Sequence, residues 1–294
     1  MSRVHRLLVY LAGLLLFLVC VGPVGLSLFA SVMPDQAIFG FPPNWFGHSA
    51  TLDNYRYIFT GQIPAVYLTA GANRGMISDA ARQVPAGVWH STLVALGVMM
   101  ANIALGAPAA YAFARCRFYG RTASFLAIVL SRLVPAVALV PPFYLIVQEL
   151  GLLGTKTALV LVHTVLTLPF TVLILTIFFG RIPRELEDAA MLDGCNRLQV
   201  FRYVFLPLAR TSILATGLFA FVLSYAEFLF ALVLSGDAAN RPLAVVMASL
   251  ARNTDVSWGL LNASVFLAVL PTMALVAVVW RFVVEDLLQG GIEG

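Results

Sequence analysis

Three groups of residues in this 294-residue chain are of a type and placement that could do chemistry. Glu227 stands beside Tyr225 inside the apolar stretch LSYAEFLFALVLSG, Leu223 to Gly236. An aromatic ring next to a carboxylate suits a polyhydroxyl ligand, with the ring stacking on a sugar face and the acid accepting hydroxyl hydrogen bonds. The same pair equally suits an inter-helix hydrogen bond, and both readings stay open. Arg132 lies about nine residues into another apolar run, roughly 14 Å deep at 1.5 Å per residue, too far to snorkel without strain. It reads either as a clamp on a carbonyl or as part of a transport path. The third group is ELEDAAMLDGCNRLQVFRYVFLPL, Glu185 to Leu208, an ordered polar insert between greasy runs.

That insert reads as two short helices. Pro183 is pre-organised for a first turn, and Glu185, Glu187 and Asp188 then sit where the helix dipole favours negative charge. Gly194 can close the helix in a left-handed cap. Leu186, Ala189 and Ala190 share one face, and the alanines permit close approach of another backbone. Asn196 can cap a second helix with an apolar stripe of Phe201, Val204, Phe205 and Leu208, before Pro207 and Arg210 return the chain to the next apolar run. The pattern fits docking into a protein partner better than an ordinary interfacial loop.

The elements that must position these groups are membrane helices. The chain is 61% hydrophobic and 11% charged, with a mean hydropathy of +0.92, too apolar for a soluble domain to cover its surface. Its net charge of +4 comes from scattered basic residues instead of a stripe, which argues against a nucleic-acid partner. Runs of roughly 20 apolar residues predict about six spans: Leu7 to Val32, Val88 to Ala114, Ala123 to Gln148, Thr157 to Phe179, Thr211 to Ser235 and Gly259 to Val284. The first run exceeds a signal-peptide core of about 7–15 residues and reads as a retained span. Arginines 3, 6, 115, 117, 121, 181, 184, 197, 202, 210 and 281 would fall on one side, against fewer basic residues on the other. The excess places both termini and residues 181–210 in the cytoplasm, and residues 33–87 outside. Prolines 108, 135, 141, 142, 169 and 271 fall within spans. The crowded SRLVPAVALVPPFYL of the third is where a pathway-lining break is expected.

Other chemistry is not indicated. GLLGTKT, Gly151 to Thr157, lacks the spacing of a phosphate-binding loop, and no ATP site is read in this chain. Cys20, Cys116 and Cys195 form no metal or disulfide pattern. The four histidines are scattered, and no grouping of Ser, His and an acid suggests itself. No catalytic residue, metal or cofactor is assigned, and the chain reads as a transport subunit instead of an enzyme.

At this point the residues resemble a family: the inner-membrane permease subunits of binding-protein-dependent ABC importers, in particular their sugar branch, typified by the smaller maltose permease. The family signature is E-A-A, three residues, G, nine residues, I-x-L-P. Asp188, Ala189, Ala190, Gly194, Val204, Leu206 and Pro207 occupy those places, with Asp for Glu and Val for Ile. TLDNYRYIF, APAAYAFARCRFYGR, SRLVPAVALVPPFYLIVQELGLLGT and the tail WRFVVEDLLQGGIEG are also similar to family segments. Ser224 to Phe228 replaces a common A-W-N-E-F, and Ile63 to Pro85 looks like an extra outer stretch.

The resemblance implies an all-α type I permease fold, with one transmembrane domain over 1–294 and its core at about 88–284. It implies a bacterial inner-membrane complex with a second permease, two ATPase subunits carrying ATP and Mg²⁺, and an extracytoplasmic binding protein. In that reading Glu185, Glu187, Asp188, Ala189, Ala190, Gly194, Val204, Leu206 and Pro207 couple the chain to an ATPase, and Arg132, Tyr225 and Glu227 line the path of a carbohydrate. A glycerol-phosphate-type solute is a rival, though a phosphorylated substrate asks for more cationic path residues than Arg132. A proton-coupled carrier built on Glu227 would leave the insert unexplained.

Overall fold

The computed structural model describes residues 3–34, 37–38, 50–63, 79–236, 240–252 and 257–290, with the side chains of 283–290 excepted. Most of the expected extra stretch from Ile63 to Pro85 therefore lies outside the described residues, as does the end of the tail. Every regular element among the described residues is helical. The chain divides into two units, residues 1–88 with 246–270 and residues 89–245 with 271–294.

In the first unit, α1 (Arg3–Ser31) is tied at its end to α2 (Asp53–Thr60). Asn54 Nδ2 donates to the Ser31 carbonyl at 2.9 Å, and the Ser31 and Tyr55 hydroxyls lie 2.7 Å apart. Tyr57 and Ile58 of α2 then pack on Ala81, Leu250, Leu260 and Ala263. Ser27 adds a hydrogen bond to Asn262, at 2.8 Å.

The second unit holds the functional candidates. Its helices are α3 (Val84–Arg115), α4 (Arg121–Leu130), α5 (Ala136–Glu149), α6 (Lys156–Arg181), α7 (Arg184–Leu192), α8 (Arg197–Val200), α9 (Leu206–Leu208), α10 (Arg210–Tyr225) and α11 (Leu229–Leu234). The chain continues through α12 (Leu243–Ala251) and α13 (Trp258–Gly290). Close packing of α3 against α6 rests on small and polar residues, as membrane interfaces favour. A side-chain carbon at Gly106 would stand 2.6 Å from Thr171 Cγ2, and one at Gly97 would stand 3.0 Å from Val160. Between them the fully buried Asn102 donates to Thr167 Oγ1 at 2.8 Å and accepts from Thr171 Oγ1 at 2.9 Å.

Four described helices are long and apolar enough to cross a membrane, or up to six if each of two bent pairs is one span. The third expected span is one such pair, α4 with its 3-10 turn and α5, bent by 102°. The bend sits at Pro135, where Val134 is extended at φ −69°, ψ 124°, as a residue before proline prefers. The Pro141-Pro142 pair, by contrast, lies within α5. The fifth expected span, Thr211 to Ser235, is not continuous as the apolar run suggests. It stops at Tyr225 and resumes at Leu229. The second bent pair, at 80°, is α8–α9 against α10.

Candidate functional site

The polar insert folds into two helical pieces around Gly194. Pro183 opens α7, and Gly194 closes it at φ 91°. Cys195 N–H donates to the Ala190 carbonyl at 3.0 Å and Gly194 N–H to Met191 at 3.1 Å, the paired bonds of a Schellman cap. Asn196 and Gln199 then form a reciprocal capping box for α8. The second piece is less regular than expected, because residues Phe201–Phe205 form a π-helical turn. Pro207 cannot donate to the Tyr203 carbonyl four residues back, which favours local widening of the helix.

The signature residues face two ways. Val204, Leu206 and Ala190 pack against a cluster of Tyr111, Leu175, Phe179, Val200, Phe201 and Phe205, and Glu187 is buried. Glu185, Asp188, Ala189, Gly194 and Pro207 are exposed. The single face expected for Leu186, Ala189 and Ala190 is thus divided. Leu186 and Ala189 look outward with Leu192, which is 90% exposed, while Ala190 turns to the core. Leu208 likewise leaves its expected stripe and is exposed.

One residue fastens this segment to the spans. Arg115, at the last turn of α3, donates from Nη2 to the Phe179 carbonyl at 2.6 Å and to that of Ile182. Its guanidinium lies over the Phe205 ring, 5.0 Å from the centroid. Arg115 Nε is 3.9 Å from Glu187 Oε2, and Arg197 Nη1 is 3.4 Å from Glu187 Oε1. With the Arg115 side chain only 3% exposed, the ends of α3, α6 and α7 are bound through a nearly water-free cation. Loss of one partner from such a group leaves an uncompensated charge.

The second candidate lies where the spans break. A cleft of about 150 Å³ is lined by Arg132, His163, Thr167, Ser224, Glu227 and Phe230 among others. Glu227 accepts from the backbone N–H of Phe230 at 3.0 and 3.1 Å, and from that of Ala231 at 3.0 Å. It therefore satisfies the N–H groups that the break exposes at the start of α11. His163 Nε2 lies 3.2 Å from Glu227 Oε2, and His163 Nδ1 pairs with Ser224 Oγ at 2.9 Å. Arg132 Nη1 donates to the Leu166 carbonyl at 2.9 Å, and its guanidinium covers Phe170 at 4.8 Å. Leu166 adjoins Val165, whose carbonyl has lost its helical partner to Pro169.

Arg132 and Glu227 thus share one cleft. Tyr225 does not join them: its ring stacks on Phe221 at 5.6 Å and 15°, it packs in a cluster with Ala95 and Met99, and its hydroxyl bonds the Thr92 side chain. The Tyr-beside-acid arrangement read from sequence is separated because the helix ends between the two residues. In turn the structure assembles what the sequence reading missed, a Ser224, His163 and Glu227 grouping. A signal existed, since His163, Thr167 and Thr171 recur every four residues along α6 as a polar stripe in an apolar run.

Comparison with known proteins is consistent with these features. The family described as binding-protein-dependent transport system inner membrane component matches residues 102–285. The chain is 32% identical over 267 residues to the sulfoquinovosyl glycerol transport system permease protein SmoH of Agrobacterium fabrum, covering 91% of this chain and 87% of that one. It is 25% identical over 290 residues to the trehalose/maltose transport system permease protein MalG of Thermococcus litoralis, covering 98% and 97%. In fold it matches a chain of a bacterial ABC transporter that imports the acidic polysaccharide alginate, with a TM-score of 0.68 at 18% identity, covering 96% of this chain and 98% of that one. With its matched core enclosing both the divided signature segment and the cleft at the broken spans, the chain belongs to the family of inner-membrane components of binding-protein-dependent transport systems.

Proposed function

We propose that this subunit passes a carbohydrate through the inner membrane, inward, driven by an ATPase that seats α7. The observation that carries the reading is the division of the signature segment. Its inward residues are locked to α3 and α6 through Arg115, so a push on the outward face of Glu185, Leu186, Asp188, Ala189 and Leu192 moves the span ends as a unit. Small Ala189 among longer side chains permits close approach of a partner surface. A second permease, two ATPase subunits carrying ATP and Mg²⁺, and an extracytoplasmic binding protein complete the transporter. The arginines of residues 181–210 support a cytoplasmic location for the segment and for both termini.

Relatives named for sugar transport support the substrate class. They include the permeases for sulfoquinovosyl glycerol and trehalose/maltose, and the diacetylchitobiose uptake system permease protein DasC of Streptomyces coelicolor, 30% identical over 207 residues. The cleft offers Arg132, His163, Thr167, Ser224 and Glu227, donors and acceptors of the kind that hydroxyl groups require. The test is reconstitution of the copurified complex in vesicles, with ATP and its binding protein supplied. Uptake of a carbohydrate bound by that binding protein is expected. A chain that fails to copurify with any ATPase subunit removes the coupling assignment. A binding protein that selects a non-carbohydrate solute removes the substrate class.

A further inference from the structure

A second cleft, of about 440 Å³, opens between the end of α3 and the start of α7, and its charged lining is Arg115, Arg117, Arg184, Glu187, Asp188 and Arg197. Four arginines thus face two carboxylates. Arg115 and Arg197 are engaged with Glu187, whereas Arg117 and Arg184 form no ion pair or hydrogen bond among the described residues. Arg115, one of the lining residues, has its Nε buried without a hydrogen-bond partner. The N-terminus of the nine-residue α7 opens at Arg184 and receives no side-chain cap, so its N–H groups and dipole add to the same positive field.

We infer that this cleft binds the phosphodiester headgroup of an anionic phospholipid. Guanidinium forks match phosphate oxygens, and an excess of unpaired cations selects an anion over a zwitterion. Position favours lipid over a soluble anion. Arg115 ends one candidate span, and Arg184 follows shortly after another candidate span ends at Arg181. Phe118 and Tyr119, next in sequence to Arg117, are exposed, a pairing of aromatic and basic residues suited to headgroup depth. Because Glu187 and Arg115 belong to both the cleft and the anchor of α7, a bound headgroup would brace the segment against the spans.

The test is native mass spectrometry of the full chain, delipidated in detergent and titrated with phosphatidylglycerol, phosphatidylcholine or inorganic phosphate. Saturable retention of phosphatidylglycerol is expected, with phosphatidylcholine released. Arg117→Gln and Arg184→Gln each lower that retention by about fivefold, the effect of one basic residue at an anionic surface. Arg202→Gln, which removes the same charge from the same segment outside the cleft, leaves it unchanged. Equal retention in the Arg117→Gln/Arg184→Gln double variant overturns the inference, as does a matching loss in Arg202→Gln. It is also overturned if inorganic phosphate binds and phosphatidylglycerol does not. Loss of ATPase copurification in the double variant with lipid retention intact assigns the cleft to the protein partner instead, and overturns it too.

Discussion

The segment from Arg184 to Pro207 and the cleft around Glu227 both gather charge in a chain that is poor in it, but they use the charge differently. In the segment a buried cation is surrounded by two carbonyls, a ring and a carboxylate, and the polar remainder points outward. Around the cleft the charged side chains bind backbone: Glu227 caps α11 after the break in the fifth span, and Arg132, beside the break at Pro135, takes the Leu166 carbonyl of the continuous α6. The first arrangement makes a rigid mount with a free face. The second satisfies the N–H groups freed where the fifth span breaks and leaves polar groups lining the gap, as irregular backbone in a membrane requires. A functional surface and a functional hollow thus arise from the same scarce resource.

Substitutions can break this contrast. Arg115→Met should be the most damaging, at about 3–5 kcal/mol, because it leaves Glu187 buried and weakly paired. A detergent melting curve should show a large drop, partly recovered in Arg115→Met/Glu187→Leu. Recovery absent from the double variant would mean that the carbonyl contacts of Arg115 dominate. Glu227→Ala should cost up to about 2 kcal/mol by exposing the N–H groups of Phe230 and Ala231, and Glu227→Gln should cost less because an acceptor oxygen remains. If Gln and Ala melt alike, capping is not what Glu227 does. Gly194→Val should cost about 1–2 kcal/mol from its positive φ alone, since nothing crowds the position. Gly194→Asn should be milder, and comparable melting of the two would refute the cap. Tyr225→Phe should be smallest, about 1 kcal/mol or less for one hydrogen bond, with sugar uptake preserved because the ring faces α3. A substrate-specific loss of uptake would return Tyr225 to the path.

The two regions also differ in how far they were legible. The signature segment is local: its caps, its glycine and its proline act within a few residues, so sequence spacing predicts α7, Gly194 and the Asn196 cap directly. Which of its residues face inward was not legible, because that depends on Arg115 and Phe179, far away in the chain. The break at Pro135 follows from backbone sterics. The break at Ala226–Phe228 contains no Gly or Pro and hides inside an apolar run, with the Glu227 cap as its local mark. The cleft joins residues 132, 163, 224 and 227, a juxtaposition set by helix packing, and only the four-residue polar stripe of α6 hinted at it.

In the proposed transporter the outward face of α7 receives the drive of an ATPase. The most direct test is Ala189→Trp in the reconstituted complex, with sugar uptake and ATP hydrolysis measured together and membrane insertion checked separately. Ala189 is exposed, so insertion and melting should hold. Uptake should fall on the order of tenfold or more, as for a truncated or blocked interface hot spot, either with ATPase subunits lost or with hydrolysis no longer coupled. Uptake and coupling ratio both unchanged would mean that no ATPase drives the chain through this face.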